Sequence, residues 1–154
     1  MIEILFANQQ TTLPVDADRM RRVVEAIVSD SGIAEAEISI AIVDDLTLKR
    51  LHDEFMQIDE PTDVMSFTLE RTDSHLDGEI VASADTALTM ATALDAPPED
   101  ELLLYVVHGA LHLVGYDDIQ EQDRLEMRRR EREYLGLLGV ELPWRDEEEE
   151  DCDL

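Results

Sequence analysis

Two of the chain's four histidines, His108 and His112, stand four residues apart in the segment HGALHLVGYDD (108–118). On an α-helix, residues i and i+4 lie one above the other, so a helix here projects both imidazoles from one face. A rigid pair of imidazoles at that spacing is a bidentate metal-binding device, as in HExxH proteins. Gly115 allows the helix to end in a left-handed conformation, after which the chain turns back and brings residues 116–118 toward the same ion. Asp118 lies six residues beyond His112 and would add a carboxylate oxygen to the two nitrogens. Three protein ligands with an open fourth position is the pattern of a catalytic zinc rather than a structural one. The ordinary alternatives are that the histidines share a face by coincidence and that Asp117 or Asp118 merely caps the next helix. Two imidazoles without partners in an apolar helix are costly, which weighs against coincidence.

The helix that must carry the pair spans roughly 98–114. Pro98 suits its first turn, and the acids Glu99 to Glu101 suit the positive end of its dipole. It is apolar nearly all round, which marks it as central and buried. Upstream, residues 2–7 suit an opening strand. Met20, Val23, Val24, Ile27 and Val28 fall at helical spacing between Asp16 and Ser31, with Gly32 as the stop. Ile38, Ile40 and Ile42 alternate as a strand would. The next helix caps with Asp45 and aligns Leu48, Leu51 and Phe55. Residues 62–69 and 78–83 read as two strands separated by a polar loop, and 85–94 as a short helix ended before Pro97 and Pro98. A last amphipathic helix runs from about Ile119 to Leu138. The order β-α-β-α-β-β-α-α-α predicts an α+β domain, with a mixed sheet of about four strands packed against about five helices and a metal site on a buried helix.

At 154 residues the chain is long enough for one real core, taken as residues 1–143, followed by an acidic tail over 144–154 expected to be disordered. The single cysteine, Cys152, excludes an internal disulfide and any cysteine-rich zinc site. No apolar run approaches the ~20 residues that span a bilayer. The opening MIEILFANQQTT lacks the basic flank and cleavage site of a signal peptide, so a cytoplasmic protein without membrane contact is expected. The formal net charge of −26 opposes non-specific binding of polyanions. Five of the twelve Lys and Arg residues fall in RLEMRRRER (124–132), the one candidate basic patch. Its ordinary reading is a solvated helix face paired with Glu121, Glu126 and Glu131. His52 and His75 read as a helix-face residue and a loop residue.

HGALHLVGYDD resembles the HGxLHLxGYDH signature of the YbeY family of bacterial single-strand endoribonucleases. Three further stretches match in the family's order. DEPTDVMSF (59–67) is similar to D-x-P-T-D-V-L-S-F, DGEIVAS (77–83) to L-G-D-I-x-I-S, and EYLGLLG (133–139) to the family's closing helix, which ends L-x-x-L-G. The resemblance implies a metal-dependent hydrolase that cuts single-stranded RNA in rRNA maturation and ribosome quality control. It implies one Zn2+ per chain, held here by His108, His112 and Asp118. By resemblance alone, Asp63, Ser66 and Glu79 are site-wall residues, and Asp117 takes a capping or supporting role, with ligation as a fallback.

Two positions depart from the family pattern. Its third histidine falls at Asp118, whose carboxylate makes an ion less electrophilic than a third imidazole would and widens the choice of metal toward Mn or Fe. Where the family commonly has L-N-x-x-Y-R, this chain has LHDEFM, with His52 for the asparagine and Met56 for the arginine. An arginine there would stabilise charge developing on a phosphate, and methionine cannot. That substitution, with the acidic surface, keeps open a second reading: a ribosome-assembly factor whose metal is mainly structural and whose partner is a basic ribosomal protein. A third is a metallohydrolase for a small neutral substrate. Gly109 occupies the position of the HExxH glutamate, which argues against a peptidase of that type.

Overall fold

The computed structural model describes residues 1–55, 64–116 and 120–140. In chain order the elements are β1 (Ile2–Asn8), α1 (Ala17–Asp30), β2 (Glu35–Val43), α2 (Asp45–Phe55), β3 (Val64–Arg71), β4 (His75–Ser83), α3 (Ala84–Leu94), α4 (Pro98–Leu113) and α5 (Glu121–Leu137). This is the expected α+β order, with four strands and five helices among the described residues. The sheet order is β1-β2-β4-β3. β1, β2 and β4 run parallel, and β3 closes one edge antiparallel to β4.

Each helix forms where its apolar period meets the sheet. The α1 stripe of Met20, Val23, Val24, Ile27 and Val28 is the buried one, and Asp16 caps the helix by accepting from the Arg19 amide at 3.2 Å. The cap of α2 is one residue earlier than the sequence pattern placed it. Asp44 accepts from the Thr47 amide at 2.7 Å, and hydrogen bonding by the Thr47 side chain, together with this amide bond, holds its carboxyl below the usual carboxylate range. Asp45 is thereby released for another task. Its carboxylate accepts from the Ser83 hydroxyl and, at 2.6 Å, from the Thr86 hydroxyl, joining the start of α2 to the start of α3.

The two faces of the sheet bury different clusters. Leu76, Ile80 and Ala82 of β4 lie in the main core with α1, α4 and α5. Val81 lies with Val43, Leu48 and Met65 in a smaller cluster beneath α2. Successive strand residues alternate faces, so even-numbered β4 residues point toward α4 and odd-numbered ones toward α2. β4 starts at His75, three residues earlier than the sequence suggested, because β3 and β4 pair through to Arg71 and Leu76 across a register shift between Thr68 and Glu70.

α4 lies directly on this sheet because Gly109 lets it. A Cβ on Gly109 would sit 2.9 Å from Ile80 Cγ2 and 3.4 Å from Val64 Cγ2. Gly78 gives the same close approach from the strand side, facing Leu113 at 3.0 Å. From Glu101 to Leu113 every residue of α4 is buried except His108 and His112.

Candidate metal centre

The two half-buried residues of α4 turn to each other. His108 Nε2 and His112 Nε2 are 3.0 Å apart, with ring planes at 81°. Two bonds of ~2.0–2.1 Å meeting at a tetrahedral zinc separate their nitrogens by about 3.3 Å. The pair therefore already holds its Nε2 atoms close to the spacing one ion requires. Just beyond, α4 ends as the Tyr116 amide donates to the Leu111 carbonyl at 3.0 Å, with Gly115 at a positive φ of 111°. A side chain is strained at that angle, so glycine is what allows the chain to turn out of the helix here.

The remaining nitrogen of His108 meets a residue that the pattern of the sequence assigned to solvent. Glu131 of α5 is 2% exposed, and its Oε2 lies 2.6 Å from His108 Nδ1. A carboxylate oxygen accepts, so Nδ1 is the donor in this pair, while Nε2 faces His112. The other oxygen, Oε1, faces Arg128 at 3.5 Å. The expectation of a wholly solvated α5 face fails at this one position. The signal was available in the sequence: Glu131 falls on the buried stripe of α5, with Met127, Tyr134 and Leu135. Elsewhere the expected surface pairing is found. Arg129 bonds Glu126, and Arg130 lies 3.1 Å from Glu133.

Other candidate residues are dispersed. Ser66 pairs in register with Ile80 and so shares the α4 face of the sheet, alongside Val64. Glu79 pairs with Phe67 and points to the opposite face, away from His108. Asp118, Asp117, Asp63 and Met56 lie outside the described residues, as does the acidic tail. Gly109 is committed to packing on the sheet, so the residue after His108 offers no general base.

His75, expected in a loop, is the first residue of β4 and the centre of a separate cluster on the α2 face. Its Nε2 lies 2.9 Å from Asp77 Oδ1 and 3.6 Å from Glu70 Oε1, and its Nδ1 lies 3.8 Å from Glu35. The Asp77 hydrogen bond, with the neighbouring negative charges, raises the imidazole above its ordinary range. Glu70, His75 and Asp77 have the donor types a metal ion takes, at the start of β4 rather than on the buried helix.

Among the described residues, no helix is long and apolar enough to cross a membrane. Comparison with known proteins converges on one family. The profile described as "Endoribonuclease YbeY" matches residues 5–139. The chain is similar to "Endoribonuclease YbeY" of Rhodopirellula baltica, at 42% identity over 80% of this chain and 65% of that protein. It thus spans slightly less than two thirds of that relative's length. The protein of the same description in Syntrophotalea carbinolica is 35% identical over 87% of this chain and 94% of its own. A Thermotoga maritima protein solved in solution superposes with a TM-score of 0.61 at 28% identity, covering 97% of this chain and 95% of that one.

Proposed function

Since the chain belongs to the YbeY family, we propose that it is a cytoplasmic, single-strand-specific, metal-dependent endoribonuclease acting in rRNA maturation and ribosome quality control. The observation that carries this reading is the pair of Nε2 atoms 3.0 Å apart on α4, inside the matched segment. In the proposal, His108, His112 and Asp118 hold one divalent ion per chain, with Zn2+ as the expected occupant. When bound, that ion supplies Lewis acidity toward a phosphodiester. α4 supplies rigidity, because its burial on the sheet fixes both imidazoles before any ligand arrives. Ser66 stands on the same sheet face, and Asp63 joins it as a site-wall residue by resemblance alone. Arg128, 3.5 Å from Glu131, is a cation next to the histidine pair.

A second reading is favoured by the charge of −26: a ribosome-assembly factor that binds a basic ribosomal protein, with the ion bracing the C-terminal part of the domain. Metal content and RNA cleavage, compared between wild type and His112→Ala, decide between them. The expected result is one divalent ion per chain, cleavage of single-stranded but not duplex RNA, and loss of both ion and cleavage in the variant. A bound ion without cleavage at any salt concentration leaves the assembly factor. Absence of any bound divalent ion overturns both readings.

A further inference from the structure

We propose that Glu131 is the positioning residue of the metal centre: it fixes the tautomer and ring angle of His108 and so links ion binding to the docking of α5 on α4. The inference rests on the reading of His108 and His112 as ligands, but it concerns a residue of another element, 23 positions from His108.

A histidine that donates one ring nitrogen to an ion must carry its hydrogen on the other, and something must hold that N–H in place. Glu131 meets both needs. Its 2.6 Å contact is to Nδ1, the nitrogen facing away from His112, so it selects the tautomer that leaves the lone pair on Nε2. Its side chain is 3% exposed, so this bond competes little with water. The carboxylate is itself steadied by Arg128, one turn earlier on α5. α5 is in turn anchored at its C-terminal end, where the Tyr134 hydroxyl donates to Asp30 Oδ2 at 2.8 Å and Arg19 donates to the Leu138 carbonyl at 3.1 Å. A buried glutamate amid Met127, Tyr134 and Leu135 weakens the apolar packing of α5. That cost falls where the carboxylate reaches Nδ1 of His108. Each histidine comes from α4, but the orientation of His108 is set from α5. An ion on Nε2 therefore stabilises the contact between the two helices, and loosening α5 weakens the ion's hold.

The test uses the full chain, wild type, Glu131→Gln and Glu131→Ala, with three readouts: thermal unfolding, 15N chemical shifts of the His108 ring in metal-free protein at mildly alkaline pH, and zinc affinity by chelator competition. In wild type His108 is expected as the Nδ1–H tautomer. The amide of Glu131→Gln retains an accepting oxygen, so this variant keeps that tautomer and most of the affinity. Glu131→Ala is expected to lose the tautomer preference and to bind zinc about 10–100-fold more weakly. An Nε2–H tautomer in wild type overturns the proposal without any variant. So does a folded Glu131→Ala protein with unchanged tautomer and affinity, or an equal loss of affinity in both variants. If wild type binds no zinc, the ligand reading fails, while the ring shifts still decide whether Glu131 sets the tautomer.

Discussion

Histidine meets carboxylate at two sites among the described residues, and the surroundings give the two contacts different uses. At His108 the buried Glu131 carboxylate meets Nδ1, while Nε2 faces His112. At His75 both nitrogens face carboxylates, those of Glu35, Glu70 and Asp77, which favours the charged imidazolium. Because the folded state raises the His75 pKa above its ordinary value of about 6.5, the stabilisation is fully present below that value. It is lost as pH climbs through the raised one. Thermal melts of wild type and His75→Gln, from roughly pH 5.5 to 9, are expected to differ most at the acidic end and to converge toward the alkaline end. A gap that widens with rising pH would show that the carboxylates do not act through the imidazolium. His108 and His112 were legible because their relation is local: four residues on one helix place them together whatever the rest of the chain does. The burial of Glu131 could be read from the period of α5, but its contact with His108 could not, because nothing in either segment states that α4 and α5 bring residues 108 and 131 together.

At the scale of the elements, local period and punctuation account for most of what the chain forms. The apolar stripe of α1, the alternating isoleucines of β2 and the Pro98 start of α4 each appear where the pattern put them, since each depends on residues within a few positions. Departures arose where distant partners decide. Two aspartates in succession could each cap α2, and the choice of Asp44 follows from Asp45 being claimed by Ser83 and Thr86 across the fold. β4 gained His75 through Asp77 because β2 and β3 supply partners on both sides of it. Gly109 also carries a meaning that only the packed structure supplies. In sequence it looked like an absent general base, whereas in the fold it is the clearance that seats α4 on Ile80. Gly109→Ala gains about 1 kcal/mol of helix propensity but forces a methyl to 2.9 Å from a β-branched side chain, and overpacking of that kind costs about 1–3 kcal/mol. The expected net effect is a loss of about 1 kcal/mol in denaturant unfolding, with weaker metal binding as α4 lifts. A gain in stability would mean that Ile80 moves aside freely and that the seat is loose.

The whole molecule sets a problem that no single residue shows: a chain of net charge −26 in a family of enzymes that cut a polyanion. The arginines of α5 are the natural source of a local positive field, yet Arg128, Arg129 and Arg130 face Glu131, Glu126 and Glu133 at salt-bridge range. The contact with Arg129 and the field of Arg130 hold the Glu126 carboxyl below its usual range, so that pairing persists to acidic pH. Pairing of this kind cancels the patch at distances beyond a Debye length of about 8 Å at physiological salt. A protein that binds RNA through a basic groove releases counterions and loses affinity steeply as salt rises. Here the long-range term has the opposite sign, and added salt screens repulsion before it weakens any contact. Under the proposed function, kcat/KM on a single-stranded RNA oligonucleotide is therefore expected to rise, or stay level, as monovalent salt increases from about 20 to 200 mM, with kcat little changed. A steep fall over that range would reveal a cationic track that outweighs the net charge.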